Sequence, residues 1–260
     1  MIGLLYKDFV MIRGKKMAWI LGIVTLAFIV LRVIFSGSRA PSDMIVYDDN
    51  GNVVNALDIF FVTAVISLMI ICVGTVINAS VMRICSADEK NKTRAYLFSG
   101  PLTRRGYVAS KYLFVLGLTL SLLALSGFWA FFCKTFMTTN STNDGFMKII
   151  NSFAVPFYCF ALVIAALELP VFLLLGRDKA MLVKIGLIML IGMFVIAYLL
   201  FGDLDVFEKI DFDRITRWIA EHVHLLKRMN IIAPIVGLIA MGISFGITAL
   251  LYGRKERDFT

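Results

Sequence analysis

Six apolar runs, each long enough to cross a lipid bilayer, dominate this sequence. A spanning helix needs roughly 17–25 apolar residues, because the bilayer has no water to bond an exposed backbone. Hydrophobic residues make up 60% of the chain, against roughly 45–50% in soluble domains. The sequence therefore predicts an all-α integral membrane protein whose residues 1–260 form a single transmembrane domain. The predicted spans are 17–35, 59–81, 112–132, 153–175, 185–201 and 231–251.

Lysine and arginine residues are distributed unequally between the two sides of these spans. The side that holds both termini carries 17 of them, and the other side carries 9. Basic residues are retained in the cytoplasm, so we expect both termini to be cytoplasmic. Membrane orientation also explains the net charge of +8 without nucleic acid as a partner.

The first 16 residues form a basic segment with apolar positions at helical spacing. Ile2, Leu5, Tyr6 and Phe9 recur on one helix face, which is typical of a helix lying in the membrane interface. The alternative is a basic anchor for the first span. No cleaved signal peptide is indicated.

The longest charged segment on the predicted inner side runs from Ser86 to Lys111. Ser86 followed three residues later by Glu89 has the form of a capping box, and Asp88 adds negative charge favoured at a helix start. These features predict a short helix over about 87–98. Such a segment is either a docking element for a partner or a solvated hairpin.

The predicted end of that short helix is also encoded locally. Gly100 and Pro101 are a typical helix terminator, and Thr103 is positioned to cap the next helix. Arg104 and Arg105 then form a basic collar before the third span.

Two segments are predicted on the outer side. Asp48 to Gly51 lies between short apolar stretches and weakly indicates a hairpin. Residues 202–230 mix six acidic with five basic residues at amphipathic spacing, which predicts an outer amphipathic segment, either a gate or a cover. His222 and His224 stand on different faces of such a helix, so no metal site is expected.

Few polar residues occur inside the apolar runs. Glu168 is the one acidic residue there, and it either serves the transport pathway or gate, or pairs with a base such as Lys184 or Arg177. Pro170 is expected to kink the fourth span. Ser67 and Asn78 either join helices or line a path.

Several classes of chemistry have no signature in these 260 residues. The sequence contains no P-loop or HExxH motif, and no constellation of Ser, His and Asp falls at membrane depth, so no enzyme activity is predicted. The four cysteines show no metal-binding or disulfide spacing. A protein of this kind that pumps needs an external source of energy.

Three segments, taken in order, resemble small ABC-2-type transporter permeases. They are Gly3-Leu4-Leu5-Tyr6-Lys7-Asp8-Phe9, the inner segment with Asp88-Glu89-Lys90-Asn91, Tyr96-Leu97, Pro101-Leu102-Thr103-Arg104 and Lys111-Tyr112-Leu113, and Gly176-Arg177-Asp178-Lys179-Ala180. Gly100, Thr103 and Glu168 depart from the family pattern. In its size and general sequence character, the chain is similar to permeases that export amphipathic peptides such as phenol-soluble modulins from Gram-positive bacteria.

The resemblance implies a six-helix permease in a bacterial cell membrane, paired with an identical or sister permease and with two cytosolic ABC ATPases. ATP and magnesium would bind those ATPases, and this chain would hold no cofactor. The N-terminal helix would be an elbow, and the inner segment would contain a coupling helix. The implied ATPase-coupling residues are Ser86, Asp88, Glu89, Lys92, Arg94, Tyr96, Leu97, Phe98, Pro101, Arg104 and Arg105.

Two other classes remain open from the sequence. A stand-alone secondary transporter or channel would use Glu168, with Pro170, Ser67 and Asn78 in its pathway or gate. A membrane assembly or immunity protein would transport nothing. For an exporter, the apolar bundle suits lipids, hydrophobic drugs or amphipathic peptide toxins better than sugars or ions.

Overall fold

The computed structural model describes residues 2–11, 14–36, 45–47, 53–75, 81–90, 103–135, 140–201 and 223–255. Eight helices and two strands lie in these ranges: α1 (Ile2–Met11), α2 (Gly14–Ser36), β1 (Ile45–Tyr47), β2 (Val53–Asn55), α3 (Ala56–Thr75), α4 (Val81–Lys90), α5 (Arg104–Thr135), α6 (Asn140–Leu175), α7 (Arg177–Phe201) and α8 (Val223–Lys255).

The described residues are helical as predicted, apart from one short β-hairpin. Strands β1 and β2 pair antiparallel, with Val46 opposite Val54. This supports the hairpin that the sequence weakly indicated, although its turn lies outside the described residues. Residues 202–222 of the predicted outer segment 202–230 also lie outside them, as do Met1 and 256–260, whereas residues 223–230 of that segment form the start of α8.

Four described stretches are long and apolar enough to cross a membrane: Arg104–Phe132, Phe153–Leu175, Arg177–Tyr198 and Arg228–Tyr252. Shorter apolar stretches occur in α2 and α3, at Ala18–Leu31 and Thr63–Gly74. Four of the six predicted spans thus correspond to helices long enough to cross a membrane, and the first and second overlap the shorter apolar stretches. The second predicted span corresponds to α3, and its last residue, Val81, is the first described residue of α4.

Helix α6 lies at the centre of the bundle and packs most extensively against α8. Its small residues Ala161, Ala165 and Ala166 are buried, which allows neighbouring helices to approach closely. Around it lie Val65 of α3, Val115 of α5 and Met241 of α8, also buried. By contrast, α7 exposes most of its apolar side chains, as expected of a helix that faces lipid.

Local sequence determines where two helices begin. The Thr103 hydroxyl accepts a hydrogen bond from the backbone N–H of Gly106 at 3.2 Å, which confirms the predicted cap of α5. Gly176 separates α6 from α7 with φ of 78°. Only glycine adopts this left-handed conformation without strain, and it is the usual end of a helix.

Pro170 lies within α6, and the helix continues through it to Leu175. A proline has no N–H for the carbonyl four residues earlier, here that of Ala166. The Ser244 hydroxyl of α8 donates a hydrogen bond to that carbonyl. The neighbouring helix thus satisfies the backbone group that the proline leaves unpaired, as membrane helices require.

A double-mutant cycle tests this compensation. Ser244→Ala should destabilise the protein by about 1–2 kcal/mol, because the Ala166 carbonyl loses its interhelical partner. In a Pro170→Ala background the helix supplies its own N–H, and we expect Ser244→Ala to have a clearly smaller effect. The measurement is unfolding in detergent of the two single variants and the double variant. Equal costs in both backgrounds would contradict the assignment.

Candidate functional site

Four charged side chains meet where three helices come together, and we call them the ionic cluster: Lys7 and Asp8 of α1, Asp88 of α4 and Lys111 of α5. Lys7 is partly exposed, and the other three are buried. Lys111 Nζ lies 2.5 Å from Asp8 Oδ1 and 2.6 Å from Asp88 Oδ2. Lys7 Nζ donates to Asp88 Oδ1 and lies 3.9 Å from Asp8 Oδ1. The side chains of Asp8, Asp88 and Lys111 are at most 1% exposed.

Tyr107 closes the ionic cluster on the side of α5. Its hydroxyl donates a hydrogen bond to Asp88 Oδ2 at 2.8 Å, and its ring centroid lies 5.1 Å from Lys111 Nζ. Tyr107 and Lys111 are four residues apart, so they share one helix face. A single turn of α5 therefore provides a hydroxyl and an ammonium group to the Asp88 carboxylate, and the Tyr107 ring contacts that ammonium group.

Helix α4 is oriented by its own buried face. Val81, Ile84, Cys85 and Asp88 recur at helical spacing and are all buried. Three of them are apolar and contribute to the core, and the fourth carries the carboxylate. Packing of this stripe against the bundle directs Asp88 inward.

Charge balance makes the burial of this cluster tolerable. Two carboxylates face two ammonium groups, and buried ions are stable only when paired and hydrogen-bonded. Burial alone would raise the pKa of Asp88, but Lys111, Lys7 and the Tyr107 hydroxyl outweigh it and hold that pKa below its ordinary value.

Asp8 differs from Asp88 in its surroundings. Burial raises the pKa of Asp8 above its ordinary value, against the opposing attraction of Lys111. The negative charge of Asp88 raises it further, and Lys7 lowers it. One oxygen, Asp8 Oδ2, is buried and accepts no hydrogen bond from the described residues. Asp8 is therefore the cluster carboxylate at which a proton binds most easily.

Two expectations about the inner segment need correction. Ser86 lies in the middle of α4, so the helix start and capping box predicted there are wrong. The buried stripe that begins at Val81 extends the helix upstream of Ser86. Asp88 is completely buried, so it does not offer its carboxylate to a partner at the surface as expected.

The remaining predicted docking residues lie at the two ends of the segment. Glu89 belongs to the last turn of α4. Arg104 is half-buried and Arg105 is exposed at the start of α5. Outside the described residues lie Lys92, Arg94, Tyr96, Leu97, Phe98 and Pro101.

The predicted pathway residues do not converge on one site. Glu168 Oε1 lies 2.7 Å from Lys184 Nζ of α7, which is the structural pair that the sequence offered as an alternative. Pro170 is half-buried in α6, Ser67 is exposed on α3, and Asn78 lies outside the described residues. Among described residues, no group of three or more His, Cys, Asp or Glu side chains is placed to hold a metal ion. His222 lies outside the described residues.

Sequence reasoning missed Lys7, Asp8, Tyr107 and Lys111 as members of a site. The sequence did give a signal for three of them: Lys7 and Asp8 lie in Gly3–Phe9, and Lys111 lies in Lys111–Leu113, two segments that resemble the permease family. Nothing in the local pattern indicates that these distant charges meet, because Asp8 and Lys111 are separated by 103 positions.

Comparison with known proteins gives one match. The family model described as "ABC-2 family transporter protein" matches residues 53–253, from β2 to the last turns of α8. No curated protein and no solved structure matches the chain. The matched region includes Asp88, Tyr107 and Lys111 of the site.

Removing the two carboxylates separately should have unequal effects. Asp88→Asn leaves Lys7 and Lys111 with only Asp8, so we expect a loss of about 3–5 kcal/mol, as for other broken buried pairs. Asp8→Asn should cost less, because Asp88 still contacts both ammonium groups and accepts from Tyr107, whereas Asp8 lies 3.9 Å from Lys7. Thermal unfolding in detergent measures both, and the reverse order would contradict the roles assigned here.

The opposite pKa directions also predict a pH dependence. Asp8, with its raised pKa, takes up a proton in the folded state before the unfolded chain does, so acidification toward the ordinary value of 3.8 favours folding through this group. Asp88, with its lowered pKa, loses its stabilising effect only as the pH falls below 3.8. As the pH is lowered from 7 to 4, we expect the free energy of unfolding of the unsubstituted protein to rise relative to that of Asp8→Asn. Melting curves across this range measure it, and a pH-independent difference would refute the assignment to Asp8.

Proposed function

Because the chain belongs to the ABC-2 transporter family, we propose that it is the membrane permease subunit of an ATP-driven exporter. Its sequence has no P-loop, so separate cytosolic ABC ATPase subunits bind ATP and magnesium and hydrolyse the ATP. A second permease, identical or a sister chain, completes the membrane unit.

The observation that carries this proposal is the attachment of α4 to the bundle. Asp88 joins α4 to α1 through Lys7 and to α5 through Lys111 and Tyr107. The residues that follow α4, including Arg94 and Tyr96, form the docking part of the segment in this proposal. A force applied there by an ATPase reaches two other helices through paired buried charges rather than through a loose loop.

The proposed topology has six spans and both termini in the cytoplasm. The excess of basic residues on that side supports it. Helix α1 lies in the membrane interface, since it exposes Tyr6, Phe9 and Val10 while it buries Asp8. An aromatic and aliphatic outer face suits the boundary between headgroups and acyl chains.

The proposed cargo is hydrophobic or amphipathic, such as a peptide toxin, a bacteriocin, a lipid or a drug, and it moves outward. The spans offer few charged groups to a polar solute. Glu168 is paired with Lys184, which weakens the alternative of an ion-coupled transporter, since a coupling carboxylate must exchange its ion freely.

Charge reversal in the docking segment tests the proposal. Arg94→Glu, combined with Lys92→Glu, should reduce the amount of ABC ATPase that co-purifies with the tagged chain in mild detergent, because the docking charges are inverted. The control is Lys134→Glu, an exposed lysine at the opposite end of α5. It reverses one basic charge on the predicted outer side, which matches either single docking variant, and should leave the ATPase bound.

Absence of any ATPase from the complex of the unsubstituted chain would contradict the proposal. Equal retention of the ATPase by the docking variant would show that the partner binds elsewhere. Transport that needs no ATPase and is abolished by Glu168→Gln would favour the ion-coupled alternative.

A further inference from the structure

Lys111 and Tyr112 are consecutive residues of α5 whose side chains enter two different polar sites. Consecutive positions on an α-helix diverge by about 100°. Lys111 joins the ionic cluster with α1 and α4, and the Tyr112 hydroxyl lies among polar groups of α8. The helix backbone between them connects the two sites rigidly.

The second site contains three hydroxyl groups and two backbone carbonyls. Tyr112 Oη lies 2.7 Å from Ser244 Oγ and 2.9 Å from Thr248 Oγ1. Ser244 donates to the Ala166 carbonyl that Pro170 leaves unpaired. Thr248 Oγ1 lies 2.7 Å from the Ser244 carbonyl of its own helix.

Counting protons shows that these contacts cannot all be hydrogen bonds at once. Three hydroxyls supply three protons, and the four contacts need four. Ser244 donates its hydroxyl proton to the Ala166 carbonyl. Tyr112 therefore donates to Ser244 or to Thr248. Thr248 in turn either donates to Tyr112, which joins α8 to α5, or donates back to its own helix.

The site therefore has two hydrogen-bonding arrangements. In the first, a directional chain runs from Thr248 to Tyr112, to Ser244 and to the Ala166 carbonyl, and links α5, α6 and α8. In the second, Thr248 donates within α8, which bends helices slightly, and Tyr112 donates to either Ser244 or Thr248. A small displacement of α5 along α8 changes the Tyr112 distances to both partners and so selects between the two.

We propose that Tyr112 is a positioning residue that transmits a displacement of α4 to the α6–α8 pair by selecting between these two arrangements. This inference rests on the proposed function, in which an ATPase moves α4. The route runs from Asp88 to Lys111, along α5 to Tyr112, and then to Ser244 and Thr248. Pro170 is part of it, because it makes the Ala166 carbonyl the end point of the chain.

The test uses the complete complex of permease and ATPase in lipid nanodiscs, followed by hydrogen–deuterium exchange mass spectrometry. ATP with orthovanadate is the probe, so the cargo need not be known. In the unsubstituted complex we expect the probe to change exchange in peptides from α4 and from the cytoplasmic end of α8, residues 248–255. In Tyr112→Phe the α4 response should persist and the α8 response should be lost.

Two further variants separate transmission from structure. Thr119→Val removes a buried α5 hydroxyl that donates to the backbone of its own helix, at 2.8 Å from the Val115 oxygen, and should leave both responses intact. Thr248→Val removes the choice between the two arrangements, because each uses the Thr248 hydroxyl, but it keeps the bond from Tyr112 to Ser244, so its α8 response should be reduced less than that of Tyr112→Phe. Because valine resembles threonine in shape, this variant provides a test even if Tyr112→Phe assembles poorly.

Each outcome has a distinct meaning. An α8 response that survives unchanged in Tyr112→Phe overturns the role of Tyr112 and leaves the proposed function intact. An unchanged α8 response in Thr248→Val overturns the selection between two arrangements. No α4 response in the unsubstituted complex overturns the proposed docking, and this inference with it.

Discussion

Two carboxylates and two ammonium groups enclosed between α1, α4 and α5 constrain this fold more than any apolar contact does. An apolar surface exchanges one neighbour for another at modest cost, whereas a buried charge that loses its partner is strongly unfavourable. The three helices therefore keep their relative positions or move together. Lys111 contacts both carboxylates and is the charge shared by all three helices. A short helix such as α1, which is marginal alone in water, gains a fixed location from this pairing.

Backbone hydrogen bonding imposes a second constraint within the bundle. Prolines interrupt the ladders of α6, at Pro156 and Pro170, and of α8, at Pro234. These two helices also pack most extensively against each other. At Pro170 the missing donor is replaced by a hydroxyl from the opposite helix, so a local defect becomes an interhelical contact. The same hydroxyl groups that stabilise this contact permit more than one arrangement, which an uninterrupted backbone ladder does not.

Local physics made the helices and some of their ends predictable from sequence. The apolar runs require helices in a bilayer, and the Thr103 cap and the Gly176 terminator each depend on residues within a few positions. The Glu168–Lys184 pair could also be predicted from the sequence, because its two residues are separated only by the tight connection between α6 and α7. Ser86 shows the limit: the same capping pattern that is correct at Thr103 is wrong there, since tertiary packing of Val81 and Ile84 continues the helix upstream. The inward direction of Asp88 was not predictable, because it depends on Lys7 and Lys111 in other helices.

The separation of Asp8 from Lys111 by 103 positions has a consequence for biosynthesis. Helix α1 emerges from the ribosome with an acidic side chain whose principal basic partner has not yet been made. Until the start of α5 has been synthesised, Asp8 must stay hydrated at the membrane surface, with Lys7 as its basic neighbour. Helix α1 can therefore complete its ion pairs only after α2, α3 and α4 have been synthesised.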